Sequence, residues 1–437
     1  MLILILLIVG LLGSALVYSL AGRAQLDLDT DRKSFAALAE AKDALIGRAA
    51  ADTSRPGSLP CPDIDNDGGA ESPVTYGGAC PSYIGRLPWK TLGLSDLRDG
   101  YGERLWYAIT PSFRDHSNGG PLNSDTPGEL DIGGATVIDN AIAIVFSPGV
   151  ATHTQNRSSA ISSVCSATGI TMANDLCVSN YLDDANANGV PPADISFVTK
   201  LPSDPAVIDG TFNDKLLAIT SDVLFSVVNI RVAKDAIAAL ETYRAANSYY
   251  PFANAYGSPS PYNCSSGLNR GRFPLTPSGC GQANWTVPAF MAPDGWFYKN
   301  NWNLVTHYAI SKACGQLNLG SITIFGTSFD LDAIAVATCN TVGNLDTVNI
   351  LRNFAGLPSI ADEPVTVTQV STNVRDLVII TGRALAQIHP CANAANCMED
   401  AENTNGNTVY AKPSRYPTSN DRMGITCASS SPCDVIP

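Results

Sequence analysis

The sequence Met1-Leu2-Ile3-Leu4-Ile5-Leu6-Leu7-Ile8-Val9-Gly10-Leu11-Leu12 opens an uncharged apolar run that continues to Ala21, before Arg23 supplies the first charged side chain. A helix needs roughly 20 apolar residues to cross a bilayer core, and the run is about that long. From Gln25 to about Ala51 the pattern stays helical without an obvious breaker. We therefore expect one long helix that is apolar in its first part and amphipathic in its second.

Two other interpretations of the apolar run fit the sequence less well. A cleaved secretory signal has a basic start, a shorter apolar core and a small-residue cleavage site. A signal anchor usually has positive charge on its cytoplasmic side. Neither Lys nor Arg precedes the run, which is also long for a signal peptide. The sequence favours a retained membrane stalk at residues 1–22, from which a basic leader has already been removed.

The composition limits the class of protein. A chain of 437 residues is long enough for two or three domains of roughly 150 residues each. Only 15% of its residues are charged, and Gly and Pro are abundant, which is typical of secreted, loop-rich proteins that contain β-structure. The net charge of −13 argues against nucleic acid as a partner, because no basic face is available to neutralise phosphates.

The twelve cysteines fall into six successive pairs along the chain, and none of them forms a Cys-x-x-Cys motif. This spacing argues against zinc-ribbon and redox motifs and favours disulfides formed in an oxidising compartment. Pairing of nearest neighbours predicts the bridges Cys61–Cys80, Cys165–Cys177, Cys264–Cys280, Cys314–Cys339, Cys391–Cys397 and Cys427–Cys433. Each short bridge is expected to add about 2–4 kcal/mol of stability.

Short landmarks from the first half of the chain return in the same order in the second half. One landmark is Gly85-Arg86-Leu87-Pro88-Trp89, which returns as Gly271-Arg272-Phe273-Pro274-Leu275. Another is Tyr107-Ala108-Ile109-Thr110, which returns as Tyr308-Ala309-Ile310-Ser311. Their common order predicts two diverged copies of one module. We place the copies at residues 23–212 and 213–437, with an insertion at about 315–364 in the second.

The hydrophobic pattern predicts a helix and then several strands in each copy. The apolar side of the first helix is formed by Phe35, Leu38, Ala39, Leu45 and Ile46. A second, longer helix is predicted from about Lys215 to Ala246. Strand-like runs occur at Leu105–Ile109, Ala141–Phe146, Ile195–Val198, Ser321–Phe325, Ile334–Thr338, Val365–Val370 and Leu377–Ile380. The predicted fold class is α+β, with each copy a helix packed on an antiparallel sheet with disulfide-stapled loops.

These features together resemble the type IV pilin and type II secretion pseudopilin superfamily. The apolar run that merges into an amphipathic helix carries most of the resemblance. The loop Asp99-Gly100-Tyr101-Gly102-Glu103-Arg104-Leu105-Trp106-Tyr107 is similar to the aspartate–aromatic–glycine loop of major pseudopilins. The string Arg55-Pro56-Gly57-Ser58-Leu59-Pro60-Cys61-Pro62-Asp63 resembles large prepilin-like proteins of Gram-negative bacteria. The chain departs from most mature pilins at Met1 and Ile5, where they have phenylalanine and glutamate.

The resemblance implies a structural subunit of an extracellular type IV pilus-like filament with two pilin-like heads. Such a subunit is held in the inner membrane before assembly and is methylated at its N-terminus. Pilus machinery then assembles it with copies of itself. The resemblance assigns assembly to Met1, Leu2, Ile3, Leu4, Ile5, Leu6 and Leu7. The tip pseudopilin also lacks the glutamate, so a minor tip pilin, pseudopilin or adhesin that binds a surface or a secreted substrate is the alternative. A membrane-tethered periplasmic enzyme is a third hypothesis.

One motif could hold a metal ion. In Asp63-Ile64-Asp65-Asn66-Asp67-Gly68, the carboxylates of Asp63, Asp65 and Asp67 stand at alternate positions before a glycine, like the start of a calcium loop. The twelfth position is Val74 and not the glutamate of a complete EF-hand. The motif therefore predicts either a calcium site or a solvated acidic turn.

Signals of catalysis are weak. The four histidines, His116, His153, His307 and His389, are scattered, and none forms a His-x-x-x-His pair. The sequence has neither a Gly-x-Ser-x-Gly elbow nor a phosphate-binding loop. We therefore predict that the chain is not an enzyme.

Overall fold

The structure, a computed structural model, describes residues 28–152, 155–161, 165, 172–188, 191–256, 258, 264–285, 289–292, 294–341, 345–361, 365–367, 371–381, 398, 403, 409–410 and 422–427. The predicted stalk at residues 1–22, with the assembly residues Met1 to Leu7, lies outside the described residues.

The fold is α+β and divides into two compact units. Residues 28–48, Leu59–Asn118 and Gly128–Thr220 belong to the first unit. Ala49–Ser58, Gly119–Pro127 and the described residues from Ser221 onward belong to the second. Short 3-10 helices occur in the loops at Pro73–Tyr76, Pro111–Phe113, Ser117–Gly119, Asn174–Leu176, Val178–Asn180, Pro277–Cys280, Ala289–Met291, Trp302–Leu304 and Lys312–Cys314.

The N-terminal helix, α1, covers residues 28–51 of the described chain and is amphipathic. Its buried side chains recur at helical spacing at Ser34, Ala37, Leu38, Ala41, Leu45, Ile46 and Ala49. Charged side chains fill other positions, at Asp29, Asp31, Arg32, Lys33, Glu40, Lys42, Asp43 and Arg48. Phe35, predicted on the apolar side, is 48% exposed.

The prediction of one apolar-then-amphipathic helix is wrong in this structure. Charged side chains on α1 rule out an apolar span there, because each is costly in the bilayer core. Within the described part of the chain, every helix is too short or too polar for a membrane crossing.

The described residues of the first unit form two sheets. Its elements after α1 are β1 (Ile84–Arg86), β2 (Trp106–Ile109), β3 (Leu130–Gly134), β4 (Ile138–Ala141), β5 (Ala143–Ser147), α2 (Asp184–Asn188), β6 (Ser196–Thr199), α3 (Pro205–Ile208) and β7 (Lys215–Ile219). One sheet has the order β1-β2-β5-β7 and is antiparallel throughout. The other has the order β4-β3-β6, and β3 and β6 are parallel. A second sheet with a parallel pair was not predicted.

The core of the first unit combines side chains from both sheets. Trp106 and Phe146 of the first sheet share one buried cluster with Ile132 and Phe197 of the second. The rings of Phe146 and Phe197 lie 5.3 Å apart between centroids. Apolar side chains that alternate along a strand fill the space between packed sheets in this way.

The second unit places a long helix on a sheet. Its elements are α4 (Ser221–Asn247), β8 (Arg270–Arg272), α5 (Trp296–Lys299), β9 (Thr306–Ile310), β10 (Ser321–Ile324), β11 (Thr327–Asp330), α6 (Leu331–Thr341), α7 (Asp346–Phe354), β12 (Val365–Val367), β13 (Ser371–Ile380), β14 (Val409–Tyr410) and β15 (Arg422–Cys427). The large sheet has the order β14-β12-β13-β9-β8, and β15 also pairs with β13. Helix α4 packs against β13 and β15. The predicted insertion contains the β10–β11 hairpin and helices α6 and α7.

Two predicted elements are wrong. The segment Lys215–Ile219, predicted as the start of the second helix, is strand β7 and pairs with β5. Consequently, the first unit ends at Thr220. The segment Ile334–Thr338, predicted as a strand, lies within helix α6. Both are short apolar runs, for which periodicity does not separate strand from helix.

The two units repeat one sheet. The order β1-β2-β5-β7 in the first matches β8-β9-β13-β15 in the second, and every neighbouring pair is antiparallel. The register also agrees, because Gly85 pairs with Tyr107 where Gly271 pairs with Tyr308. The repeated sequence landmarks therefore occupy equivalent strand positions.

Disulfides link loops in both units, as predicted. Four bridges join Cys61 to Cys80, Cys165 to Cys177, Cys264 to Cys280 and Cys314 to Cys339. The predicted pairs Cys391–Cys397 and Cys427–Cys433 depend on side chains outside the described residues.

Two glycine-to-alanine substitutions test the close approach of Gly85 to the backbone of Asp63. A Cβ atom at Gly85 would lie 2.7 Å from the carbonyl oxygen of Asp63. We expect Gly85→Ala to lower the free energy of unfolding by about 1–3 kcal/mol, because the backbone must move. At Gly47, exposed on α1, a Cβ meets nothing within 4 Å. We expect Gly47→Ala to raise the free energy of unfolding by roughly 0.5–1 kcal/mol.

Urea denaturation followed by tryptophan fluorescence measures both changes. A Gly85→Ala protein as stable as the wild type would contradict the close approach of the two backbone segments.

Candidate functional site

The acidic loop predicted from sequence is built around the buried Asp63. A pair of backbone hydrogen bonds joins Asp63 to Arg86 of β1 and fixes the start of the loop. The carboxylate of Asp63 then accepts the N–H groups of Asn66 and Gly68, each at 2.7 Å. Asn66 and Gly68 have φ angles of 65° and 89°, which asparagine and glycine tolerate best. The sequence therefore folds here into a tight turn around one carboxylate.

The structure groups a different set of three carboxylates from the predicted one. Oxygens of Asp63, Asp65 and Glu71 all lie within 4.8 Å of one another. Asp67 is absent from this group, and its Oδ1 accepts the N–H of Gly69 at 2.5 Å. Glu71 was not predicted, although it stands at the ninth position counted from Asp63, a position that calcium loops also use.

Negative charge at the loop is only partly balanced by the protein. Burial raises the pKa of Asp63 to about 6, against the lowering effect of the two backbone N–H groups. Burial also raises the pKa of Glu71. Arg104 donates to the carbonyl oxygen of Asn66 at 2.7 Å, and Lys90 donates to that of Asp67. These two cations bind the loop backbone rather than the three grouped carboxylates.

The three grouped carboxylates could provide part of a calcium site. Calcium takes six to eight oxygen ligands, so three carboxylates need additional carbonyl or water oxygens. Asp63 also has a structural role, because both of its oxygens organise the turn. Calcium binding therefore stays a prediction.

A cleft of about 330 Å³ lies beside the acidic loop in the first unit. Most of its wall is apolar, with Cys80, Pro81, Met172, Leu176, Val178 and Pro192 among its lining residues. Asp63, Arg86 and Trp106 also line it. Such a mixture of an apolar wall and a few polar groups is typical of small-molecule sites.

Arg86 is the buried cation of the cleft. Its side chain is 3% exposed, and its guanidinium carbon lies 4.4 Å from the ring centroid of Trp106 and 3.8 Å from that of Tyr181. It donates to the carbonyl oxygens of Arg104 at 2.9 Å and Asp175 at 3.3 Å. Burial lowers the pKa of Arg86 to about 10, which still leaves it charged at neutral pH. In the sequence, Arg86 stands out only as part of the repeated Gly85–Trp89 landmark, and it was not predicted as a site residue.

The equivalent position in the second unit is arranged differently. In the strand register of the second unit, His307 lies opposite Arg272, as Trp106 lies opposite Arg86 in the first. The ring of Tyr256 stacks on His307, and the hydroxyls of Tyr256 and Tyr410 hydrogen-bond to its two ring nitrogens. Burial lowers the pKa of His307 to about 3, so the imidazole is neutral.

The remaining histidines give no support for catalysis. His116 accepts the N–H of Asn118 through Nδ1 at 3.1 Å. His153 and His389 lie outside the described residues. The absence of enzymatic activity stays a prediction.

Comparisons with protein-family models, with curated proteins and with solved structures find no match to this chain in any of the three. The resemblance to pilins therefore rests on the sequence features alone.

Calcium titration distinguishes the predicted ligands Asp63, Asp65 and Asp67 from the grouped carboxylates of Asp63, Asp65 and Glu71. We expect Glu71→Gln to weaken calcium binding by about tenfold or more, because it removes a charged oxygen ligand. Asp67→Asn, which leaves the three grouped carboxylates intact, should change the affinity by less than about threefold. Isothermal titration calorimetry at pH 7.5 measures both.

The affinity should also fall as the pH drops through about 6, because a proton on Asp63 then competes with the metal ion. Absence of binding by the wild type, or equal losses in the two variants, would contradict a site made by Asp63, Asp65 and Glu71.

Proposed function

We propose that this protein is a structural subunit of an extracellular type IV pilus-like filament that displays two α+β units. The repetition of one helix followed by an antiparallel four-stranded sheet carries the proposal. This is the head architecture that the resemblance to pilins implies. The sheets and cores of the two units suit a display role, in which stability matters more than chemistry.

The N-terminal apolar sequence supplies a means of association in this proposal. Residues 1–21 carry no charged side chain, so water is a poor solvent for them. In the inner membrane, lipid would surround these residues, and in a filament they would contact the same residues of other copies. Identical contacts that repeat without closing produce an open-ended fibre.

The disulfides favour an extracellular destination. Four bridges are formed among the described cysteines. Bridges of this kind persist in oxidising compartments and are rare in the cytosol. The proposed route therefore runs from the inner membrane to the cell surface.

A charge placed in the apolar sequence tests the proposal in the producing cells. We expect the double variant Leu4→Asp, Leu7→Asp to disappear from sheared surface fibres, because a buried aspartate costs about 2.5–3.5 kcal/mol in an apolar environment. The matched variant Leu4→Val, Leu7→Val keeps the residues apolar and should assemble. Negative-stain microscopy and quantitative blotting of the sheared fraction measure assembly.

Non-reducing electrophoresis of the cell-associated protein serves as the folding control. Wild-type cells without fibres containing this chain would overturn the proposal, as would normal assembly of the aspartate variant. Fibres in which the chain is only a trace component would instead favour the minor tip subunit.

A further inference from the structure

An almost fully exposed aromatic side chain lies at the tip of the β10–β11 hairpin in the second unit. The hairpin stands outside the sheet β8-β9-β13-β15 that the two units share. Its strands pair up to Ile324 and Thr327, so Phe325 and Gly326 form a two-residue turn. The side chain of Phe325 is 98% exposed, more than any other large hydrophobic side chain among the described residues. The ring therefore adds almost nothing to the core of the second unit.

The backbone of the turn also disfavours phenylalanine. Phe325 has a φ angle of 50° and Gly326 one of 82°, so both turn positions are left-handed. A hairpin turn of this kind prefers asparagine followed by glycine, and a bulky residue is rare at the first position. Phenylalanine lowers stability here through its backbone conformation and through its apolar surface in water. A side chain that the fold itself does not explain points to a contact with another molecule.

The chemistry of the hairpin narrows the choice of partner. Residues Ala313–Phe329 include no charged side chain. Hydroxyl groups cover one exposed face, where Oγ1 of Thr323 and Oγ of Ser328 lie 3.2 Å apart. An anionic lipid surface attracts Lys and Arg, which the hairpin lacks, and one ring is a weak anchor on neutral lipid. The hairpin is better suited to an apolar pocket in a protein.

The cleft of the first unit has the size and the lining to accept a phenyl ring. Its volume is about 330 Å³, and an apolar cavity of roughly 150 Å³ already holds a benzene molecule. Met172, Leu176 and Val178 provide apolar contacts. The charged side chains of the lining, Asp63 and Arg86, have opposite signs. The uncharged hairpin and the cleft therefore match in size, apolar character and charge.

We propose that the ring of Phe325 in one copy of this chain enters the first-unit cleft of a second copy. The inference deepens the filament proposal and rests on it, because one ring buries far less than the roughly 800 Å² per partner of a stable interface. The contact needs copies that are already held close together, as the apolar N-terminal sequences would hold them. Because the hairpin and the cleft belong to different units, the contact is head-to-tail and can repeat along a fibre without closing.

Photo-crosslinking in the producing cells tests the contact directly. The photoreactive amino acid p-benzoylphenylalanine at position 325 keeps an aromatic ring at the tip and, on irradiation, bonds to neighbouring C–H groups. We expect a ladder of dimer, trimer and larger bands in the sheared fibre fraction. Mass spectrometry should locate the bond in peptides that contain Met172, Leu176 or Val178. The same reagent at Val137, which is 71% exposed, is the matched control and should not label the cleft.

Substitutions test whether the hairpin and the cleft act together. Phe325→Asn supplies the residue that the turn prefers, so the protein should resist urea at least as well as the wild type. It should nevertheless weaken each contact by about tenfold or more and lower the fibre yield, because burial of the phenyl ring is lost. Met172→Trp fills the cleft and should lower the yield similarly. The double variant should be no worse than the stronger single variant.

Quantitative blotting of the sheared fraction measures the yield, and non-reducing electrophoresis reports whether Met172→Trp folds. Val137→Asn, which also removes an exposed apolar side chain, should assemble like the wild type.

Several results would overturn the inference. They are no crosslink from position 325, crosslinks only to lipid, to another protein or to other parts of this chain, bands that stop at the dimer, and a wild-type yield of Phe325→Asn fibres. Wild-type fibres without a crosslink in the cleft would count against this inference alone. An absence of wild-type fibres would count against the filament proposal and, because the contact rests on it, against the inference as well.

Discussion

The site in the first unit depends on one pair of backbone hydrogen bonds. The N–H of Asp63 donates to the carbonyl of Arg86 at 3.0 Å, and the N–H of Arg86 donates back at 2.7 Å. This short contact is possible because Gly85 has no side chain to meet the carbonyl oxygen of Asp63. It sets the acidic loop and the buried guanidinium side by side. The same pair joins Asn254 and Arg272 in the second unit, at 2.9 and 2.7 Å, so it belongs to the repeated framework.

Because the framework is shared, the difference between the units lies in side chains attached to it. Trp106 and Asp65 leave an open cleft in the first unit, whereas His307 and Tyr256 stack on each other in the second. The neutral His307 is satisfied by two tyrosine hydroxyls, whereas Nε1 of its counterpart Trp106 has no acceptor among the described residues. A duplicated fold can thus keep its backbone while one copy loses or gains a site, since function resides in the side chains.

Sequence patterns predicted those parts of the structure that depend on local or repeated features. Nearest-neighbour pairing found the four described disulfides, and the α+β class followed from helix and strand periodicity. The pattern failed at Lys215–Ile219, a short apolar segment whose state is decided by pairing with β5. It found Asp63 and Asp65 but missed Glu71 and the pairing of Arg86 with Trp106. Glu71 lies in the same loop, and its ninth position from Asp63 was a usable sequence signal. The pairing of Arg86 with Trp106 arises only when two separate strands meet, and one sequence carries no signal of that meeting.

The disulfides of the first unit bear directly on how a ligand would be bound. Cys61 precedes the acidic loop by two residues, and its partner Cys80 lines the cleft. Cys177 stands between Leu176 and Val178, two residues of the same wall, and is joined to Cys165. Two parts of the cleft lining are therefore covalently fixed to neighbouring loops. A site held open in this way loses little conformational entropy when a ligand enters, because its walls are already ordered. The covalent constraint that stabilises the loops thus also preorganises the cleft.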